Sequence, residues 1–246
     1  MSNIIGINGM VKKKFKRVWY AILIIAVCAC IILGLYYFFG YKNSGEAKIF
    51  LPIKSVMTEQ SLYSVTINLI GSENVTSKRL INELFGGFKI KATYFVTTEY
   101  IEKNTSEITA YLKNGHSVGL YLQNVSAFSK TELMRFIALE NDKFYALTGR
   151  YPRLVRETGQ KNSYTGEILD LYGQIFVSSN ANVTNCTALK KGDILEIETL
   201  NEEAAYALAR LVSQASTQGL LPEATEKLIN LQNTELKWEN IFTKAK

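Results

Sequence analysis

The chain reads as an α/β domain on a parallel sheet with helical crossovers, set behind a single membrane-spanning helix. Three observations predict this. An uncharged apolar run fills 18–39. Beyond it, strand-like and helix-like periods alternate along about 190 residues, enough for one sizeable core. Glycines at Gly86-Gly87 and Gly115 close helical periods where a left-handed cap is needed. Six or seven such alternations allow either a closed (β/α) barrel or an open doubly wound sheet, and periodicity alone does not choose.

Residues 1–17 form a basic leader with Lys12, Lys13, Lys14, Lys16 and Arg17. The 22 residues from Val18 to Phe39 follow. At about 1.5 Å per residue they reach roughly 33 Å, against a hydrocarbon core of about 30 Å. Trp19, Tyr20, Tyr36, Tyr37 and Tyr41 lie near the two ends, where interfacial aromatics sit, and the basic leader predicts a cytoplasmic N-terminus with the domain on the extracytoplasmic side. A cleaved signal peptide and a lipoprotein signal ending at Cys30 compete with this reading. The apolar residues that continue from Ile31 to Phe39 favour the uncleaved anchor. A polar linker is expected over 40–60 and the domain over 61–240.

Within the domain, alternation and β-branched content predict strands at Tyr63 to Ile70, Ala92 to Val96, Ser117 to Leu122, Leu154 to Val155, Gln174 to Val177 and Asp193 to Glu198. Helices are predicted at Ser77 to Phe85, Thr105 to Asn114, Lys130 to Leu147, Ser163 to Leu171 and Glu202 to Thr217.

The net charge of +6 arises at the membrane: the first 45 residues hold six bases and no acid, leaving 22 bases against 22 acids. A neutral domain without a recognition motif excludes nucleic acid as a partner. Cys186 is the only cysteine beyond the anchor, so the exported part forms no internal disulfide, which suits a bacterial envelope. The sequons at Asn74, Asn104, Asn124, Asn182 and Asn185 read as chance in an Asn- and Thr-rich chain.

Four stretches in order carry a resemblance: Thr66-Ile67-Asn68-Leu69, Lys91 to Val96 with the Glu102-Lys103-Asn104 turn, Gly115-His116-Ser117-Val118-Gly119, and Leu154 to Asn162 with Thr158-Gly159-Gln160. Gly192-Asp193-Ile194-Leu195 before a long helix adds a fifth. Together they resemble the polysaccharide deacetylase (NodB-homology) family, in its membrane-anchored, sporulation-associated branch. The resemblance implies a distorted (β/α)7 barrel of the polysaccharide deacetylase type, preceded by one transmembrane helix.

That family removes acetyl from amino sugars with a divalent metal held by an aspartate and two histidines, a second aspartate as base and a further histidine as acid. Metal chemistry of this kind makes water nucleophilic by lowering its pKa, and the base takes the proton. Here the base position falls on Asn68, the metal aspartate on Leu69, and the metal histidines on Tyr121 and Val125. An ungapped match places the motif arginine on Val155, and a shift of one on Arg156; the ungapped register is preferred. The acid histidine matches Glu198, although Glu196 on the same strand face leaves that register open by one. His116, the only histidine, matches a structural family position, so neither it nor Cys186 is expected to act in catalysis.

The expectation is therefore a catalytically inactive, membrane-anchored protein of the cell envelope, with no cofactor and no metal ligand set. Its partners would be peptidoglycan or another acetylated glycan, held in a groove of Asn68, Tyr121, Asn162 and Glu198, or an envelope or sporulation protein. The alternative is a divergent N-deacetylase with a rebuilt site in which Glu198, Asp193 or Glu157 holds a hard cation.

Overall fold

The computed structural model describes residues 19–20, 23–35 and 50–229, in two compact units divided after Ile49. In the first unit, helix α1 covers 23–35. The rest of the expected span, apart from Trp19 and Tyr20, lies outside the described residues, as do the leader and positions 230–240 of the expected domain. Among the described residues no helix is long and apolar enough to cross a membrane.

The second unit follows a strand and helix alternation. It runs β1 (Leu62–Leu69), α2 (Val75–Gly87), β2 (Thr93–Val96), α3 (Thr98–Lys103), α4 (Thr105–Lys113) and β3 (Ser117–Leu122). It continues through α5 (Lys130–Thr148), β4 (Leu154–Glu157), α6 (Thr165–Leu171), β5 (Ile175–Phe176), β6 (Ala181–Asn182) and β7 (Ile194–Ile197). It ends with α7 (Glu202–Thr217), β8 (Leu221–Pro222) and α8 (Thr225–Leu228). The sheet order is β5-β4-β3-β2-β1-β7-β6, with β8 beside β1 and every strand pairing parallel.

Strand alternation sorts the side chains into two layers. Tyr63, Val65, Ile67 and Leu69 of β1, with Tyr94, Val96, Leu120, Leu122, Val155 and Leu195, pack under the helices. Their neighbours Phe95, Tyr121, Leu154 and Ile194 form a second cluster on the inner, concave face. Both faces are covered, which explains why these strands are buried along nearly their whole length. Gly119 is required by this curvature: a Cβ there would lie 2.7 Å from the Leu154 carbonyl oxygen and 2.9 Å from the Phe95 ring.

Helix ends follow local chemistry. Asn74, Thr97, Ser129 and Asn201 each accept a backbone N–H in the first turn of α2, α3, α5 and α7. Ser129 and Glu132 complete a reciprocal capping box on α5, and that helix buries Leu133, Ile137 and Phe144 against the sheet. Each such burial contributes roughly 1.5–3 kcal/mol.

Two features depart from the sequence reading. The expected distorted (β/α)7 barrel is present as a curled parallel half-barrel with helices whose sheet stays open, because β5 and β6 do not pair with each other. Residues 50–60, expected as linker, instead lie against the edges of that gap. Ile53 bridges Val177, Ser55 bridges Asp193, and the Val56 N–H donates to the Gly192 carbonyl at 2.8 Å. At the opposite end of the sequence, α8 enters from the strand starts: Thr225 shares a 2.7 Å hydroxyl contact with Ser64, its N–H donates to Thr93 Oγ1, and Leu228 joins the inner cluster.

Candidate functional site

At the carboxyl ends of β1, β3, β4 and β7 the inner face turns polar. Alternation points Asn68 inward and leaves Leu69 in the helix-facing core, where it is fully buried. The same rule on β4 separates Val155, in that core, from Arg156, which faces the interior. The preferred placement of the motif arginine on Val155 is therefore corrected by one residue. Counting residues without a gap overlooked that Leu154 and Arg156 must share the inward face.

Arg156 organises this centre. Its Nη1 donates to Asn68 Oδ1 at 3.1 Å and to Glu196 Oε1 at 3.2 Å, and its Nη2 donates to the Ser178 carbonyl at 3.2 Å. The guanidinium lies 4.2 Å from the Phe95 ring centroid, and its Nε has no partner among the described residues. Asn68 Nδ2 donates to the same Glu196 oxygen at 2.7 Å, while Ser179 Oγ donates to the other. Burial pulls Arg156 down to about 10, although the neighbouring Glu196 and Tyr121 oppose the shift. Burial raises the Glu196 carboxyl, but Arg156, Ser179, Asn68 and Lys161 outweigh it and hold the group below its ordinary range. Glu196, the residue that left the register of the last motif open by one, is thus the counter-ion of the buried arginine.

Above this pair is a cavity of about 340 Å³ lined by Asn68, Tyr121 and Glu198, with Ile70, Glu73 and Leu200 on its walls. Three of the four expected groove residues meet here. Asn162 does not join them. It is buried, and its Nδ2 donates to the Val125 and Phe128 carbonyls at 2.9 and 2.7 Å, pinning the loop after β3. Glu198 is exposed and accepts from Asn182 Nδ2 at 3.1 Å. Burial raises the Tyr121 hydroxyl, and the charges of Glu196 and Glu198 push in the same direction.

The divalent metal of the deacetylase family does not fit these residues. Leu69 and Val125 are core side chains, and Tyr121 replaces imidazole with a phenol held protonated by its surroundings. Among the described residues no three of His, Cys, Asp and Glu group to hold a metal ion. The rebuilt alternative is not assembled either. Glu157 accepts from the Asn162 N–H at 2.6 Å and Thr165 Oγ1 at 2.7 Å, and so ties down the start of α6. Asp193 stands at the other end of β7 from Glu198, accepting from Asn180 Nδ2 and the Lys190 N–H, both at 2.7 Å.

His116 lies at the start of β3, away from this cavity, among Phe85, Tyr94 and Tyr111. Its Nδ1 accepts the Ala92 N–H at 3.1 Å, and burial with the nearby Lys91 lowers it to about 4. It is a structural side chain. Cys186 donates to the Ala188 carbonyl at 3.3 Å, and burial raises its thiol, which is the reverse of activation.

Residues 71–174 match the model of the polysaccharide deacetylase family. No curated protein sequence matches the chain. Among solved structures the fold is similar to BA3943, a carbohydrate esterase family 4 pseudoenzyme from Bacillus anthracis. That similarity has a TM-score of 0.63 at 15% identity, over 73% of this chain and 69% of that one. It is also similar to a family 4 carbohydrate esterase from Bacillus anthracis, with a TM-score of 0.62 at 19% identity over 72% and 86%. The peptidoglycan deacetylase PdaC from Bacillus subtilis gives 0.58 at 18% over 72% and 94%. At these identities the likeness establishes the fold and leaves chemistry to the residues.

Proposed function

From the degenerate polysaccharide deacetylase (NodB-homology) domain that this chain carries, we propose a catalytically inactive protein that binds glycan in the vestige of a deacetylase groove. One observation carries the reading. At the position of the catalytic base stands Asn68, whose amide is held between Arg156 and Glu196 and has no carboxylate to accept a proton from water. The cavity persists while the groups that would activate water do not. The similar fold of BA3943, described as a pseudoenzyme with a mutant of restored enzymatic activity, gives a precedent for this architecture without turnover.

The phenol of Tyr121 offers a face for a pyranose ring, and Asn68 and Glu198 offer polar atoms to its hydroxyls. The apolar run at 18–39 and the basic leader support a tether that holds the domain on the outer side of a bacterial membrane, within reach of peptidoglycan. A role in spore formation is part of the proposal and rests on the sequence resemblance alone. Peptidoglycan pull-down tests the binding claim. Tyr121→Ala with Glu198→Ala should lower retention at least about fivefold in protein that still folds, with a lower melting temperature because the Tyr121 ring leaves the inner cluster. Unchanged retention by the folded double variant would remove the groove from the reading.

A further inference from the structure

The cavity at the strand ends has a sign. Its walls carry the carboxylates of Glu73 and Glu198 and no lysine or arginine. Arg156 beneath is already paired with Glu196 at 3.2 Å, and Lys161, which lies over the Phe176 ring at 5.1 Å, is not among the lining residues. Among the described residues Glu198 Oε1 has no hydrogen-bond partner, the contact from Asn182 going to Oε2. Glu73 Oε1 accepts the N–H groups of Ile70 and, at 2.9 Å, Gly71, and Oε2 shares the Gly71 N–H at 3.1 Å, so acceptor capacity remains on Oε2.

Ionised carboxylates only accept hydrogen bonds. An acetamide offers these acceptors one neutral N–H and a carbonyl that they cannot satisfy, whereas an ammonium brings three donors and a compensating charge. Ile70, Leu200 and the Tyr121 ring supply the apolar wall that a sugar ring needs. We propose that this cavity selects the de-N-acetylated amino sugar, a 2-amino-2-deoxyhexose unit bearing a free ammonium, over its acetylated parent. The inference rests on the glycan-binding reading and specifies its ligand. The reaction class that must supply such a ligand is amide hydrolysis: water adds to the acetamide carbonyl, the C–N bond breaks, acetate leaves and the amine takes a proton.

The test is calorimetric titration of the full chain with a chitin hexamer, a fully de-N-acetylated chitosan hexamer and hexalysine, for the wild type and Glu198→Gln. Glu198 is exposed, so its substitution leaves the core intact. The expected result is chitosan binding about tenfold tighter than chitin, with most of that ratio lost in Glu198→Gln. Hexalysine should bind far more weakly. Equal affinity for the two glycans, or preference for chitin, would overturn the proposal and leave glycan binding in place. Hexalysine binding as tight as chitosan would also overturn it, by showing cation capture without sugar recognition. Failure of both glycans to bind a folded protein would overturn this inference together with the reading beneath it.

Discussion

Arg156 and Glu196 give the clearest predictions at the scale of single residues. Arg156→Met leaves a partly buried carboxylate unpaired and should cost roughly 3 kcal/mol in urea denaturation. Adding Glu196→Gln should recover most of that loss, the pair behaving non-additively. Asn68→Asp should also destabilise the protein at neutral pH, because a second carboxylate would face Glu196 where a 2.7 Å amide contact now stands. Two carboxylates sharing that site raise a folded-state pKa, so the penalty should shrink as pH falls. His116 works in the opposite sense. Its folded pKa is lowered from 6.5 to about 4, so the unfolded chain binds more protons between those values. The stability due to the neutral imidazole is present above 6.5 and is lost as pH falls toward 4. Melting temperature against pH should show that slope, and His116→Gln should flatten it. That Asn68, Tyr121 and Glu198 share one cavity was legible from motif spacing. An ungapped residue count puts the motif arginine one position before Arg156 because it ignores strand alternation, and the pairing of Glu196 with Arg156 joins strands forty residues apart, which no local pattern shows. Asn162 looked like a groove residue because its type suits sugars; its buried carbonyl partners are invisible in sequence.

Among the elements, the regular strands and long helices were legible because each carries enough residues to show a period. Helix α7 buries Ala204, Ala205, Leu208, Leu211, Val212 and Ala215, a stripe readable from spacing alone. Helix α3 was missed because its six residues are too few, although Thr97 capping it and Glu99 in its first turn were local signals. The segment 50–60 was not legible at all. Its partners, Val177, Gly192 and Asp193, are more than a hundred residues away, and no periodicity marks it. Its fit can be tested at Gly192, which has φ +78° and would put a Cβ 1.7 Å from the Val56 carbonyl oxygen. Gly192→Ala should displace this segment and cost more than about 1 kcal/mol. Thermal unfolding together with faster amide exchange across 50–60 would show it. A wild-type melting temperature would mean that the segment contributes little to closing the sheet.

For the molecule as a whole, parallel pairing throughout and two hydrophobic layers maintain a concave face with a polar end. The inner face has been made self-sufficient, with its buried cation neutralised by a carboxylate of the fold and its phenol held protonated. A cavity remains at the strand ends, where folds of this kind place ligands. The central claim is that this cavity binds without turning over. The most direct measurement is acetate release by the full chain from acetylated chitin oligomers and peptidoglycan, with several divalent cations supplied and an active deacetylase of the family run alongside. No acetate above background, under conditions where the active enzyme releases it, is the predicted result. Acetate well above background that disappears in Glu198→Gln would contradict the account and place a working site in the same cavity.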